Sequence, residues 1–127
     1  MALYTKINLK DDVKDMAPQF GMEGMEARFA RTNLELDGSG ISLFRIAPDH
    51  RAPFGHHHES QEEIYLLIDG GATFNVEGDE VELSPMDALR VAPTATRGMQ
   101  AGPDGALIVA YGSPTGDEVE MKPEWWG

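Results

Sequence analysis

The stretch Gly55-His-His-His-Glu-Ser-Gln-Glu-Glu-Ile-Tyr-Leu-Leu-Ile-Asp-Gly70 decides the reading of this chain. Its second half, Ile64 to Ile68, is a continuous apolar run of strand length. Successive strand residues face opposite sides, so Glu63, Tyr65 and Leu67 share one face and Ile64, Leu66 and Ile68 the other. Both faces are largely apolar, and both therefore need cover. The first half holds three of the four histidines. In an extended segment His56 and His58 point to the same side, about 7 Å apart, while His57 points away.

The flanking sequence repeats the strand signal. Ala27 to Leu34 and Ile41 to Ala47 flank the turn Asp37-Gly-Ser-Gly40. Ala72 to Glu77 and Glu80 to Leu83 flank Gly78-Asp79 and predict a hairpin. Ser84-Pro-Met-Asp87 reads as a turn before a strand over Ala88 to Ala92. Asp69-Gly-Gly71 and Gly102-Pro-Asp-Gly105 read as chain reversals, the latter between strands over Arg97–Gln100 and Ala106–Tyr111. Asp11 to Phe20 predicts at most one helical turn, stopped by Pro18. Short strands, frequent turns and no long amphipathic helix imply an all-β antiparallel barrel, closed or built from two sheets, which hides its edges.

A length of 127 residues suits one domain. The expected division is an N-terminal arm over 1–26 packing on the barrel or a partner, the barrel over 27–115, and a tail over 116–127. Trp125 and Trp126 should dock that tail, because paired indoles rarely sit in solvated chain. A formal charge of −12 repels phosphate backbones and anionic membranes, so neither nucleic acid nor membrane is an expected partner. With no cysteine, disulfide and thiolate chemistry are excluded. No segment approaches the roughly 20 apolar residues of a membrane span, and a soluble cytoplasmic protein is expected. The two apolar faces of Ile64–Ile68 imply that a packed segment or a second subunit covers the outer one, and a homodimer is the expectation.

Two same-face imidazoles and a nearby carboxylate can hold one divalent cation with coordination positions left open, an arrangement suited to Fe(II) and accepted by Mn, Ni or Zn. A solvated histidine run that binds nothing is the plainer alternative. The spacing His56-x-His58, four residues, Glu63, six residues, Gly70 resembles the first motif of the cupin superfamily. Gly78, Pro85-Met-Asp87 and Val91-Ala-Pro93 resemble its second motif, Gly…Pro-Gly-Asp…Val-Pro-Pro, with Met86 and Ala92 departing from it. The resemblance covers roughly residues 40–112. It implies an antiparallel double-stranded β-helix, the jelly-roll barrel, with His56, His58 and Glu63 as metal ligands. It also implies a small single-domain protein that binds a divalent metal, a small anionic molecule or both. Metal-dependent dioxygenases and isomerases occur among such cupins.

The family usually places a fourth ligand, a histidine, where Arg97 stands here. A guanidinium cannot ligate a cation. Two readings of Arg97 stand side by side. Either the metal remains on His56, His58 and Glu63 while Arg97 holds an anionic substrate through a two-pronged hydrogen bond, or Arg97 pairs with Glu63 in a metal-free pocket that binds small molecules without catalysis. Tyr65, Phe44 and Met99 are further candidate substrate contacts, each equally readable as core. Arg90 and His50 are expected at the surface, and His57 facing outward.

Overall fold

The computed structural model describes residues 2–116, 119–123, 125 and 126. A single 3₁₀ turn, Ala17–Phe20, precedes eight strands: β1 Met25–Phe29, β2 Gly40–Ile46, β3 Gly55–His58, β4 Glu62–Val76, β5 Asp79–Leu83, β6 Ala88–Val91, β7 Arg97–Ser113 and β8 Val119–Lys122. Every pairing is antiparallel. No helix of the described residues is long and apolar enough to cross a membrane.

Strands β4 and β7 organise the barrel because each serves two sheets. The first half of β4 lies between β6 and the last part of β7, which continues through β2 to β1. The second half of β4 lies between β5 and the first part of β7, which continues through β3 to β8. The result is a curled, all-β double sheet of the jelly-roll type. The hydrophobic core gathers where the two long strands bend, with Ile46, Leu67, Phe74, Val91 and Ile108 almost wholly buried.

Two expected reversals are bends instead. Asp69-Gly-Gly71 and Gly102-Pro-Asp-Gly105 both lie inside long strands, and the pairing shifts register between Leu67 and Asp69 and between Gly70 and Ala72. Such bulges bend a ladder without ending it. Gly70 and Gly105 both take positive φ, and a Cβ on Gly70 would lie 2.0 Å from the Gly105 carbonyl oxygen. The turn composition was legible; its use as a corner was not. The expected hairpin forms, but its two-residue turn is Glu77-Gly78, one residue earlier than Gly78-Asp79, with both residues at positive φ.

The first strand is shorter than the sequence reading: β1 starts at Met25 and ends at Phe29, and the chain turns from Arg31. Pro18 sits at the start of its helical turn rather than stopping one, consistent with its preset φ. The arm returns to β1: Asp15 Oδ1 accepts the Ala17 and Ala27 amides at 2.9 Å, and the Met16 amide donates to the Ala27 carbonyl.

The tail is more ordered than a docked extension. Residues Val119–Lys122 pair with β3 as strand β8, a strand the sequence reading missed; positions 117, 118, 124 and 127 of the tail, like Met1, lie outside the described residues. Trp125 donates its indole N–H to the Asn75 carbonyl at 3.0 Å, and Trp126 donates to the Ala52 carbonyl at 2.8 Å. Trp125 lies against Gly55 and Gly98, where any Cβ would collide with it.

The inner face of β4 is buried, with Tyr65 and Leu67 at 1% and 0% exposure. Its outer face is bare in the single chain: Ile64 is 41% exposed and Ile68 39%. Ile64 sits beside Tyr111, and Leu66 beside Val109, which in turn neighbours Leu43. The N-terminal arm therefore does not supply the cover that the sequence called for.

Candidate metal centre and cavity

Strand β3 presents His56 and His58 on one face, as the strand period requires, and their rings meet edge to face with centroids 5.2 Å apart. The His58 amide is tied to the Pro93 carbonyl at 2.8 Å, and His56 pairs with Arg97 across to β7. Glu63 enters from the start of β4. The three ligand atoms lie within 4.8 Å of one another. Glu62, the neighbouring acid, faces outward and pairs with Arg90 at 3.0 Å, so Arg90 is exposed as expected.

One oxygen organises the group. Glu63 Oε1 lies 3.3 Å from His56 Nε2, 3.2 Å from His58 Nε2, 2.7 Å from the Tyr65 hydroxyl that donates to it, and 3.5 Å from Arg97 Nη2. Burial would raise the carboxyl pKa. The hydrogen bonds from His56 and His58, the attraction of His56 and the Tyr65 hydroxyl outweigh burial and hold it well below the usual carboxylate range. Tyr65 shifts the other way: burial, then the Glu63 charge, raise its hydroxyl well above the usual tyrosine value against the opposing Arg97 charge. Glu63 is thus an anion and Tyr65 a neutral donor across the ordinary pH range.

These residues fit a divalent cation. Donor atoms bound at about 2.0–2.2 Å around one ion stand roughly 3 Å apart, which matches the separations of both Nε2 atoms from Glu63 Oε1. Tyr65 steadies the carboxylate through its hydrogen bond to Oε1, as a supporting hydrogen bond does for a metal ligand.

Arg97 lies against Glu63, the contact that one of its two readings called for. It is 1% exposed. Its Nη1 donates to the carbonyls of Ala95 at 2.8 Å and Pro93 at 3.3 Å, folding the guanidinium against its own loop. Nη2 faces Glu63, and neither Nε nor Nη2 has a hydrogen-bond partner among the described residues. The charge is spent on Glu63 and loop carbonyls rather than held out toward the cavity mouth.

A cavity of about 580 Å³ opens above this floor. Phe44, Tyr65, Met99 and Arg97, the four candidate substrate contacts, all line it. Sequence reasoning missed Phe20, Met22, Met25 and Phe29 from the arm and β1, and Val119 and Met121 from β8. The alternation Met25, Ala27, Phe29 was the available signal for the first group: Ala27 is fully buried, so its neighbours two residues away face the same side. His57 turns away from the cavity toward Thr96 and Glu120, whose carboxylate lies 3.1 Å from Nε2. His50 is exposed and rests over Gly24.

Comparison with solved structures agrees with this architecture. A cupin protein from Bacteroides fragilis superposes with a TM-score of 0.73 at 25% identity, over 91% of this chain and 88% of that one. The chain belongs to the cupin superfamily. Two further cupin-fold neighbours are more distant in sequence. The polyketide cyclase RemF from Streptomyces resistomycificus matches at TM-score 0.74 and 19% identity over 95% of this chain and 85% of its own. A sugar phosphate isomerase of the cupin superfamily from Silicibacter pomeroyi matches at 0.68 and 18%, over 87% and 76%. No protein-family model and no curated protein matches the sequence.

Proposed function

We propose that this cupin holds a divalent cation on His56, His58 and Glu63 and carries out a redox-neutral reaction, such as an isomerisation, on a small molecule in the cavity. The observation that carries this reading is the convergence of two imidazole nitrogens and one ionised carboxylate within 4.8 Å on the floor of a 580 Å³ cavity. A bound ion of this kind supplies Lewis-acid polarisation of a substrate oxygen. The chain's own groups do the rest: Tyr65 fixes the carboxylate, Arg97 balances its charge, and the largely apolar cavity wall shapes the space for the substrate. The names of two solved neighbours, an isomerase and a cyclase, support redox-neutral chemistry over oxygenation.

A second reading draws on the 3.5 Å contact between Arg97 and Glu63. In it the guanidinium takes the place of the ion, and the cavity binds without turnover. Metal analysis of untagged protein separates the two. Stoichiometric metal in the wild type that disappears in His56→Ala supports the cation site; little metal in both leaves the Arg97–Glu63 pair. Arg97→His sharpens the result, since it should raise metal affinity at a cation site and only destabilise a structural pair.

The uncovered outer face of β4 supports a homodimer. Ile64, Leu66, Val109 and Tyr111 form an apolar surface whose edges carry both signs of charge, Glu62 with Arg90 at one side and Glu26 with Arg45 at the other. A second copy turned about a two-fold axis can meet apolar with apolar and acid with base.

A further inference from the structure

The proposed cation site leaves the substrate open, and the cavity above it carries its own chemical signature. We propose that the substrate is a flat aromatic molecule of two or more fused rings, with an oxygen-bearing edge directed at His56, His58 and Glu63. This inference rests on the reading of that floor as the reactive end.

The wall is built for ring faces and edges. Phe20, Phe29 and Phe44 form a chain of edge-to-face contacts, with centroids 6.4 Å and 5.9 Å apart and planes at 87° and 79°. Such rings offer both electron-rich faces and positive edges to a further ring. Met22, Met25, Met99 and Met121 add thioethers to the lining, and thioethers adapt well to aromatic surfaces. A volume of about 580 Å³ falls within the roughly 300–1,000 Å³ typical of sites that enclose a drug-sized ligand.

The charges argue against the other common classes. On the floor, Glu63 and Arg97 offset each other and leave only the charge of the proposed cation, and Arg97 Nη1 is already bonded to the Ala95 and Pro93 carbonyls. The other guanidinium along the lining, Arg31, is exposed, and no lysine lines the cavity among the described residues. A phosphate could reach the proposed cation, but the unpartnered Arg97 Nε and Nη2 are buried out of its reach, and the sugar of a sugar phosphate would lie against the apolar wall. A sugar would set most of its hydroxyls against phenyl and thioether groups, since away from the floor Arg31, Ser42, Gln61 and Thr115 are the polar side chains of the lining among the described residues. A polycyclic phenol or ketone places its single polar edge where the polar groups are and its rings where the rings are.

The test is calorimetric titration of metal-replete protein with 2-naphthol and, separately, with glucose 6-phosphate. The expected result is saturable binding of one naphthol per chain and no detectable binding of the sugar phosphate at millimolar concentration. Phe29→Ser should weaken naphthol binding about tenfold. Phe29 is 44% exposed, so the variant should stay folded, with a melting temperature a few degrees lower for its two lost ring contacts. Binding of glucose 6-phosphate in place of naphthol, or naphthol binding indifferent to Phe29→Ser, overturns the proposal. Repeating the titration after chelation keeps the two readings apart. Naphthol binding retained by a protein that never takes up metal counts against the cation site alone. Failure of naphthol to bind a metal-loaded protein counts against the aromatic substrate alone.

Discussion

The two faces of β4 invert the usual distribution of residue types. Inside the barrel stand an ionised glutamate and a tyrosine hydroxyl, next to Leu67; outside stand Ile64 and Ile68, both more than one-third exposed. Burying a charge costs several kcal/mol unless it is paired and hydrogen-bonded, and Glu63 is surrounded by His56, His58, Tyr65 and Arg97. Large apolar residues left in water cost the hydrophobic energy of their burial. A strand that carries both features spends stability on each side. The inner cost is what the proposed cation site asks for, and the outer cost is what the proposed homodimer would relieve.

The strongest way to break the inner half of this comparison is Glu63→Gln in chelated protein. It leaves the Arg97 guanidinium buried opposite a neutral amide, and a cost of about 3–5 kcal/mol is expected, read as a lowered urea midpoint. An unchanged midpoint would show that the carboxylate does not hold the floor together. Leu67→Ala should cost about 2–5 kcal/mol, since its side chain is fully buried. Its counterpart on the other face, Ile64→Lys, should barely alter the stability of the monomer measured in dilute solution. It should reduce the light-scattering mass from two chains to one; a wild-type mass of one chain removes the dimer from the account.

Acid titration sharpens the same contrast. The Glu63 carboxyl is depressed in the folded chain, so its contribution to stability is complete above the unfolded value near 4.5 and is lost as the pH falls below it. In chelated protein, the wild type should lose stability below about pH 4.5 more steeply than Glu63→Gln; parallel slopes would contradict the assignment. The smallest expected effect lies at the turn that clamps the middle of β4. The Met86 amide donates to the Leu67 carbonyl at 2.7 Å, and Leu67 returns a bond to the Asp87 carbonyl. Met86 holds a φ of 75° at a position where the related motif carries glycine. Met86→Gly should stabilise by about 0.5–1 kcal/mol, visible as a melting temperature raised by a few degrees.

Local physical chemistry was enough to read most of the strands and the floor of the site. Strand alternation puts His56 with His58, and Glu63 with Tyr65, whatever the rest of the chain does, because the pleat has a period of two. The Glu77-Gly78 hairpin is legible for the same reason: it is closed by residues adjacent in sequence. Tertiary structure alone decided three other features. Turn residues at Gly70 and Gly105 became corners because two long strands pass each other there, and only pairing across the sheet distinguishes a bend from a reversal. Val119–Lys122 became a strand because the edge of β3 was open to receive it, a long-range hydrogen-bonding opportunity that the brief Val-Glu-Met-Lys alternation only hints at. Arg97 turned back onto the Pro93–Ala95 loop, and Phe20, Phe29 and Phe44 came together over the cavity, because side-chain direction in a barrel depends on which distant strands close around it.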